Sequence, residues 1–176
     1  MIRQNISLED MLNDICIDNK YAPNPIELNI VPVNLEYFNE EGRPIWLDKC
    51  VREFNALIPS CAWLDYCSRF PYSTNYALEN AFGHGNKWNP NLPIRIAAYL
   101  GQEGIVYEIE DSGSGFNLAS ALNNPHIKAH KYNRGLGLKK MSQAPELVSF
   151  NNKGNVCRIQ ALRKDFLNEL NKDTRI

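Results

Sequence analysis

The sequence has no long apolar run, no paired cysteines, no marked excess of either charge and no internal repeat, and each absence narrows what it can be. No stretch approaches the ~18 apolar residues of a membrane-spanning helix, and the opening Met1 to Asp10 lacks the apolar core of a secretory signal. A cytosolic location is therefore expected, with no membrane partner. Five cysteines (Cys16, Cys50, Cys61, Cys67 and Cys157) are an odd, scattered set without a Cys-x-x-Cys pair. That argues against a disulfide framework and a zinc knuckle and leaves them as small core residues. A net charge of −1 lacks the bulk electrostatics of a nucleic-acid-binding protein. What is present is 176 residues, 44% apolar and 22% charged, enough for one globular domain that buries roughly 70% of its unfolded surface.

Along the chain, Ser7 to Asp10 reads as a helix start, followed by Leu8, Met11, Leu12, Ile15 and Cys16 on one face. Ile26, Leu28 and Ile30 alternate as in a strand, and after Pro32 the parity changes to Val33, Leu35 and Tyr37. Pro44 opens a helix carrying Ile45, Leu47, Val51, Phe54 and Leu57. A second helix starts near Ser60 or Ser73 and runs to about Gly83, and Asn86 to Pro93 is a loop. Two hairpins follow: Ile94–Leu100 with Gly104–Ile109, and Leu147–Phe150 with Val156–Leu162 across Asn151–Gly154. Between them lie a short helix near Leu118 to Leu122, a polar stretch from Asn123 to Arg134, and a helix opened by Gly135 to Leu138. Asp165 to Leu170 reads as a short terminal helix.

Three segments carry chemistry. Asp111-Ser112-Gly113-Ser114-Gly115 places a carboxylate and two glycines at a strand end, which describes either a tight turn or a corner that accepts a hydrogen bond from a planar amine. Asn80 and His84, four apart, share a helical face. Asn80 offers an amide oxygen suited to Mg²⁺, and the competing reading is a helix end capped by Gly85. Arg134-Gly135-Leu136-Gly137-Leu138 precedes a helix, where free backbone N–H groups and the helix dipole favour an anion such as phosphate.

In this order and spacing, the three segments resemble the nucleotide-binding boxes of the GHKL ATPase superfamily over residues 44 to 162. The resemblance implies a two-layer α/β sandwich with a mixed sheet, the Bergerat ATP-binding fold, with helices on one face. It implies Mg²⁺ at Asn80, with His84 beside it. It places the adenine amino group at Asp111, an adenine pocket shaped by Gly113 and Gly115, and phosphates enclosed by Gly135, Leu136, Gly137 and Leu138. The polar stretch would be a lid whose Lys128, His130, Lys131 and Arg134 meet phosphate oxygens, Arg134 foremost.

One position departs from the pattern. Four residues before Asn80, where gyrase-like members and the anti-sigma-factor serine kinases carry a glutamate base, stands Tyr76, a phenol of ordinary pKa about 10. Glu79 lies about 100° around the helix from Asn80 and is no substitute. No catalytic residue is assigned. The three histidines fall in the Asn80 segment (His84) and the lid (His126, His130), so phosphorylation of a histidine in cis is not expected.

Size and architecture resemble the stand-alone anti-sigma-factor serine kinases. The expected organisation is an N-terminal extension over residues 1–43 (helix plus edge strand), an ATPase domain over 44–164 and a tail over 165–176. The expected function is a Mg-ATP-binding, kinase-like regulator that phosphorylates or sequesters a partner protein. Its alternatives are a non-catalytic nucleotide-dependent switch and a scaffold that has lost nucleotide binding. ATP or ADP and a protein partner are expected. The apolar stripe of the first helix serves either a homodimer or partner interface or the domain's own sheet edge.

Overall fold

The computed structural model describes residues 2–15, 26–30, 52, 53, 56, 72–123 and 137–164. They are organised around a six-stranded sheet in the order β1-β5-β6-β4-β3-β2. Its strands are β1 (Ile2–Gln4), β2 (Ile26–Ile30), β3 (Ile94–Leu100), β4 (Gly104–Asp111), β5 (Leu147–Phe150) and β6 (Val156–Leu162). Both hairpins legible in the sequence form, β3 with β4 and β5 with β6, and β4 pairs antiparallel with β6 between them. β4 runs two residues beyond the expected end and finishes on Asp111. β2 adds antiparallel to β3.

β1 escaped sequence reading because three residues are too few to show alternation. It pairs parallel with β5, Ile2 opposite Val148 and Gln4 opposite Phe150. This parallel pair makes the sheet mixed, as expected of an α/β sandwich, and it covers the β5 edge.

Alternation along the strands sorts the core onto one face. Ile94, Ile96 and Ala98 of β3, Ile105, Tyr107 and Ile109 of β4, and Cys157, Ile159 and Ala161 of β6 point the same way. They meet Ala77 and Leu78 of helix α2 (Tyr72–Asn80), Phe82 just beyond it, Leu118 of α3 (Leu118–Asn123) and Met141 of α4 (Gly137–Gln143). The start of α2 agrees with the Ser73 alternative. Its end does not stop near Gly83, because the chain continues through a π-helical turn, Ala81–Gly85.

The expectation of helices on one face holds for α2 to α4 but not for α1 (Leu8–Asp14), whose first turn is capped by Ser7 accepting the Asp10 N–H at 3.0 Å. Met11 and Ile15 are fully buried with Val106, whose side chain points away from those of Ile105 and Tyr107. The cause is in β4, which is apolar on both faces over Ile105 to Tyr107 and needs cover on each. The Gln160 amide donates to Met11 O at 3.0 Å and fixes the helix on the sheet. On the same face Glu108 is held between Arg95 at 3.2 Å and Arg158 at 2.8 Å.

The segment Val33 to Tyr37, the polar stretch from 124 to 134 and the terminal helix over 165–170 lie outside the described residues. So does the helix from Ile45 to Leu57, except residues 52, 53 and 56.

Candidate functional site

A cleft of about 220 Å³ opens between α2 with its π turn, the end of β4 and the start of α4. Asn80, His84, Gly85, Asp111, Gly115, Gly137 and Leu138 line it. Its remaining wall is mainly apolar, from Ala77, Ala81, Ile109, Phe116, Phe150 and Cys157. A concave apolar slot with a few placed polar groups is the usual form of a small-molecule site.

Asp111 ends β4 with its side chain turned into the cleft, and the residue is 9% exposed. Gly113 N–H donates to its Oδ1 at 2.8 Å, closing a tight turn around the carboxylate. Burial pushes the carboxyl pKa above the ordinary carboxylate value, against the opposing pull of the Gly113 N–H and of Lys153. The turn expected of this segment forms, and its carboxylate faces the cleft. The strand side of the corner is fixed by Asn155, whose carbonyl accepts the Asp111 N–H at 3.0 Å and whose amide donates to Asp111 O at 3.2 Å.

The glycines explain how backbone comes so close. A methyl group on Gly85 would lie 2.2 Å from Asp111 Cγ, and one on Gly113 would lie 2.2 Å from Gly85 O. Gly115 adopts φ +78°, a left-handed conformation that favours glycine. Gly113 shapes the corner from behind and is not among the residues lining the cleft.

Across the cleft, Asn80 is the last residue of α2, and a Cβ on Gly137 would sit 3.2 Å from its amide oxygen. The start of α4 thus packs directly against Asn80. His84 is exposed at the rim of the same cleft, on the π turn. That turn ends at Gly85 and is capped by Asn86 in place of Gly85, the Asn86 N–H donating to Ala81 O at 2.8 Å. Phe82 meets Trp88 edge to face, ring centroids 5.1 Å apart, which braces the turn from outside. Tyr76 is half-buried and packs against the core.

Of the residues singled out in the sequence, Asn80, His84, Asp111, Gly115, Gly137 and Leu138 converge on one cleft from segments up to 58 positions apart (138 − 80 = 58). Arg134, Gly135 and Leu136 lie outside the described residues, as do Lys128, His126, His130 and Lys131. Sequence reading missed Asn86, Asn155 and Gly154. Their signals were present, an Asn directly after a helix-terminal Gly and a Gly-Asn pair closing a hairpin, but both patterns mark ordinary turns.

Residues 75–161 match the model of the histidine kinase-like ATPase domain. No curated protein matches the chain. The matched segment starts at the helix bearing Asn80, passes through the Asp111 corner and ends in β6. By its fold and by this match, residues 75–161 form a histidine kinase-like ATPase domain of the GHKL-type superfamily.

Proposed function

We propose that the cleft binds ATP or ADP, with the adenine amino group donating to Asp111 and the phosphates directed toward Asn80 and the start of α4. The observation that carries this reading is the Asp111 carboxylate, buried in an apolar cleft over the glycine backbone of residues 85 and 113. A carboxylate so placed lacks solvation that a planar amine supplies on binding. The apolar wall suits a purine ring, and the glycine backbones leave room for a flat base.

Mg²⁺ fits the same reading. Among the described residues no cluster of three His, Cys, Asp or Glu side chains could hold a metal by itself, but Mg²⁺ with a nucleotide takes one or two protein ligands plus phosphate oxygens and waters. Asn80 is the hard oxygen ligand at hand; when bound, the ion neutralises phosphate charge. His84, Gly137 and Leu138 line the same cleft as Asn80, and the resemblance assigns Arg134, Gly135 and Leu136, next in the chain to α4, to the phosphates.

The biological role we infer is that of a cytoplasmic, kinase-like regulator, which phosphorylates a partner protein or sequesters it while nucleotide is bound. Phosphoryl transfer relies mainly on positioning and electrostatics, which Mg²⁺ and the lid cations Lys128, Lys131 and Arg134 would supply. A second reading, a nucleotide-dependent switch without chemistry, is favoured by Tyr76, which puts a half-buried phenol one turn before Asn80 in place of a carboxylate base. Incubation with [γ-³²P]ATP and candidate partners separates the two. Transfer abolished by Asn80→Ala supports the kinase, while tight ADP and ATP binding without transfer or hydrolysis supports the switch.

A further inference from the structure

Asn86 belongs to none of the three nucleotide-binding segments, yet it is 1% exposed and every polar atom it carries is engaged. Its N–H closes the π turn on Ala81 O at 2.8 Å, and its carbonyl accepts the Asn89 N–H at 2.9 Å. Its amide nitrogen donates to Leu92 O at 2.8 Å and to Pro93 O at 3.3 Å, at the entrance to β3. Its Oδ1 accepts the Ser112 N–H at 2.9 Å. One side chain therefore joins the end of the Asn80 helix, the start of β3 and the residue directly after Asp111.

The consequence lies in how the carboxylate is aimed. Asp111 is held on the β6 side by Asn155, as the sheet continues, but β4 has ended and nothing in the ladder fixes Ser112 and Gly113. Gly113 N–H orients Oδ1, so the carboxylate is only as well placed as the backbone of 112 and 113. Asn86 supplies the backbone anchor, next to the Ser112 hydroxyl, which donates to Pro93 O at 3.3 Å. It also follows Gly85 directly, the residue whose backbone lies against the carboxylate. The π turn sets the register: its extra residue per turn brings Gly85 under Asp111 and Asn86 under Ser112.

We propose that Asn86 is the positioning residue of the base site, fixing Asp111 so that the cleft selects a base with an amino group at the six position over one with a carbonyl there. The proposal rests on the nucleotide reading of the cleft. Adenine presents an N–H donor at that position and guanine an oxygen acceptor, which a fixed carboxylate repels. A loosely held carboxylate can rotate or move away and loses this discrimination. Neither end of the Asn86 amide is left over to contact the ligand, so its influence passes through Asp111.

The test measures Kd for Mg-ADP and Mg-GDP by calorimetry on the full chain and on two variants. In the wild type, ADP is expected to bind on the order of 100-fold more tightly than GDP. Asp111→Asn brings the ratio close to one, and Asn86→Ala reduces it roughly tenfold, through weaker ADP binding. If Asp111→Asn removes the discrimination and Asn86→Ala keeps the wild-type ratio, or weakens both nucleotides equally, the role of Asn86 is overturned while the base site stands. If Asp111→Asn keeps the ratio, the base-site reading itself fails, and the proposal with it. Amide hydrogen exchange in the nucleotide-free wild type gives an arm that needs no variant: the Ser112 N–H is expected to be protected, and exchange as fast as that of an exposed loop amide contradicts the anchor.

Discussion

Asp111 carries a cost in the empty protein. Its pKa is raised by burial, so the folded state binds a proton more tightly than the unfolded chain does. The sign follows from linkage: the carboxyl favours folding most below its unfolded pKa, and stability falls as pH rises from there through the raised folded value. Asp111→Asn retains an oxygen for the Gly113 N–H and removes the charge. Nucleotide-free Asp111→Asn is therefore expected to melt at or above the wild-type temperature near pH 7, with the advantage shrinking as pH falls through the raised folded pKa and gone below about pH 4. Thermal melts of both proteins across pH check this. The glycines are different in kind, because their replacement costs structure. Gly85→Ala drives a methyl group into the carboxylate and Gly113→Ala into Gly85 O, each at 2.2 Å. Each is expected to lose about 1–3 kcal/mol in denaturant unfolding and to weaken nucleotide binding.

Among the elements, α1 and the π turn are where pattern and structure part. The Met11 stripe was visible as a helical face, but the surface it meets was not, because two-sided burial of β4 is set by what packs on each face. Met11 is fully buried against Val106 and Ile15, so Met11→Ala is expected to cost about 2–5 kcal/mol in chemical unfolding. The hairpins were legible because three of their four strands run to seven or eight residues of alternating or fully apolar character, and glycine turns between them leave few alternatives. β1 was not, since three residues gain strand character only from the β5 edge beside them. The π turn was hidden for another reason: helical periodicity up to Asn80 continues smoothly into Ala81 and Phe82, and the extra residue shows only where Asn86 reaches Ser112. Asn80, Asp111 and Gly137 were legible as separate chemical possibilities. Their convergence is a property of the sheet order and the packing of α4 on α2.

At the scale of the whole molecule, one layer of helices and the sheet enclose a cleft on the main core face, while α1 and the Arg95–Glu108–Arg158 cluster occupy the opposite face. Ligand binding to such a cleft stabilises the fold by mass action. With Mg-ADP or Mg-ATP at about 100 times Kd the gain is roughly 2.7 kcal/mol. For a chain of this size that raises Tm on the order of 5 to 10 °C. The most direct test of the central claim is this thermal shift, measured on the wild type and on Asp111→Asn side by side. The account predicts a clear shift with both nucleotides for the wild type and its loss in the variant, which itself stays folded. An unshifted wild type, or an Asp111→Asn variant that shifts fully, would contradict the assignment of the cleft as an adenine nucleotide site built on Asp111.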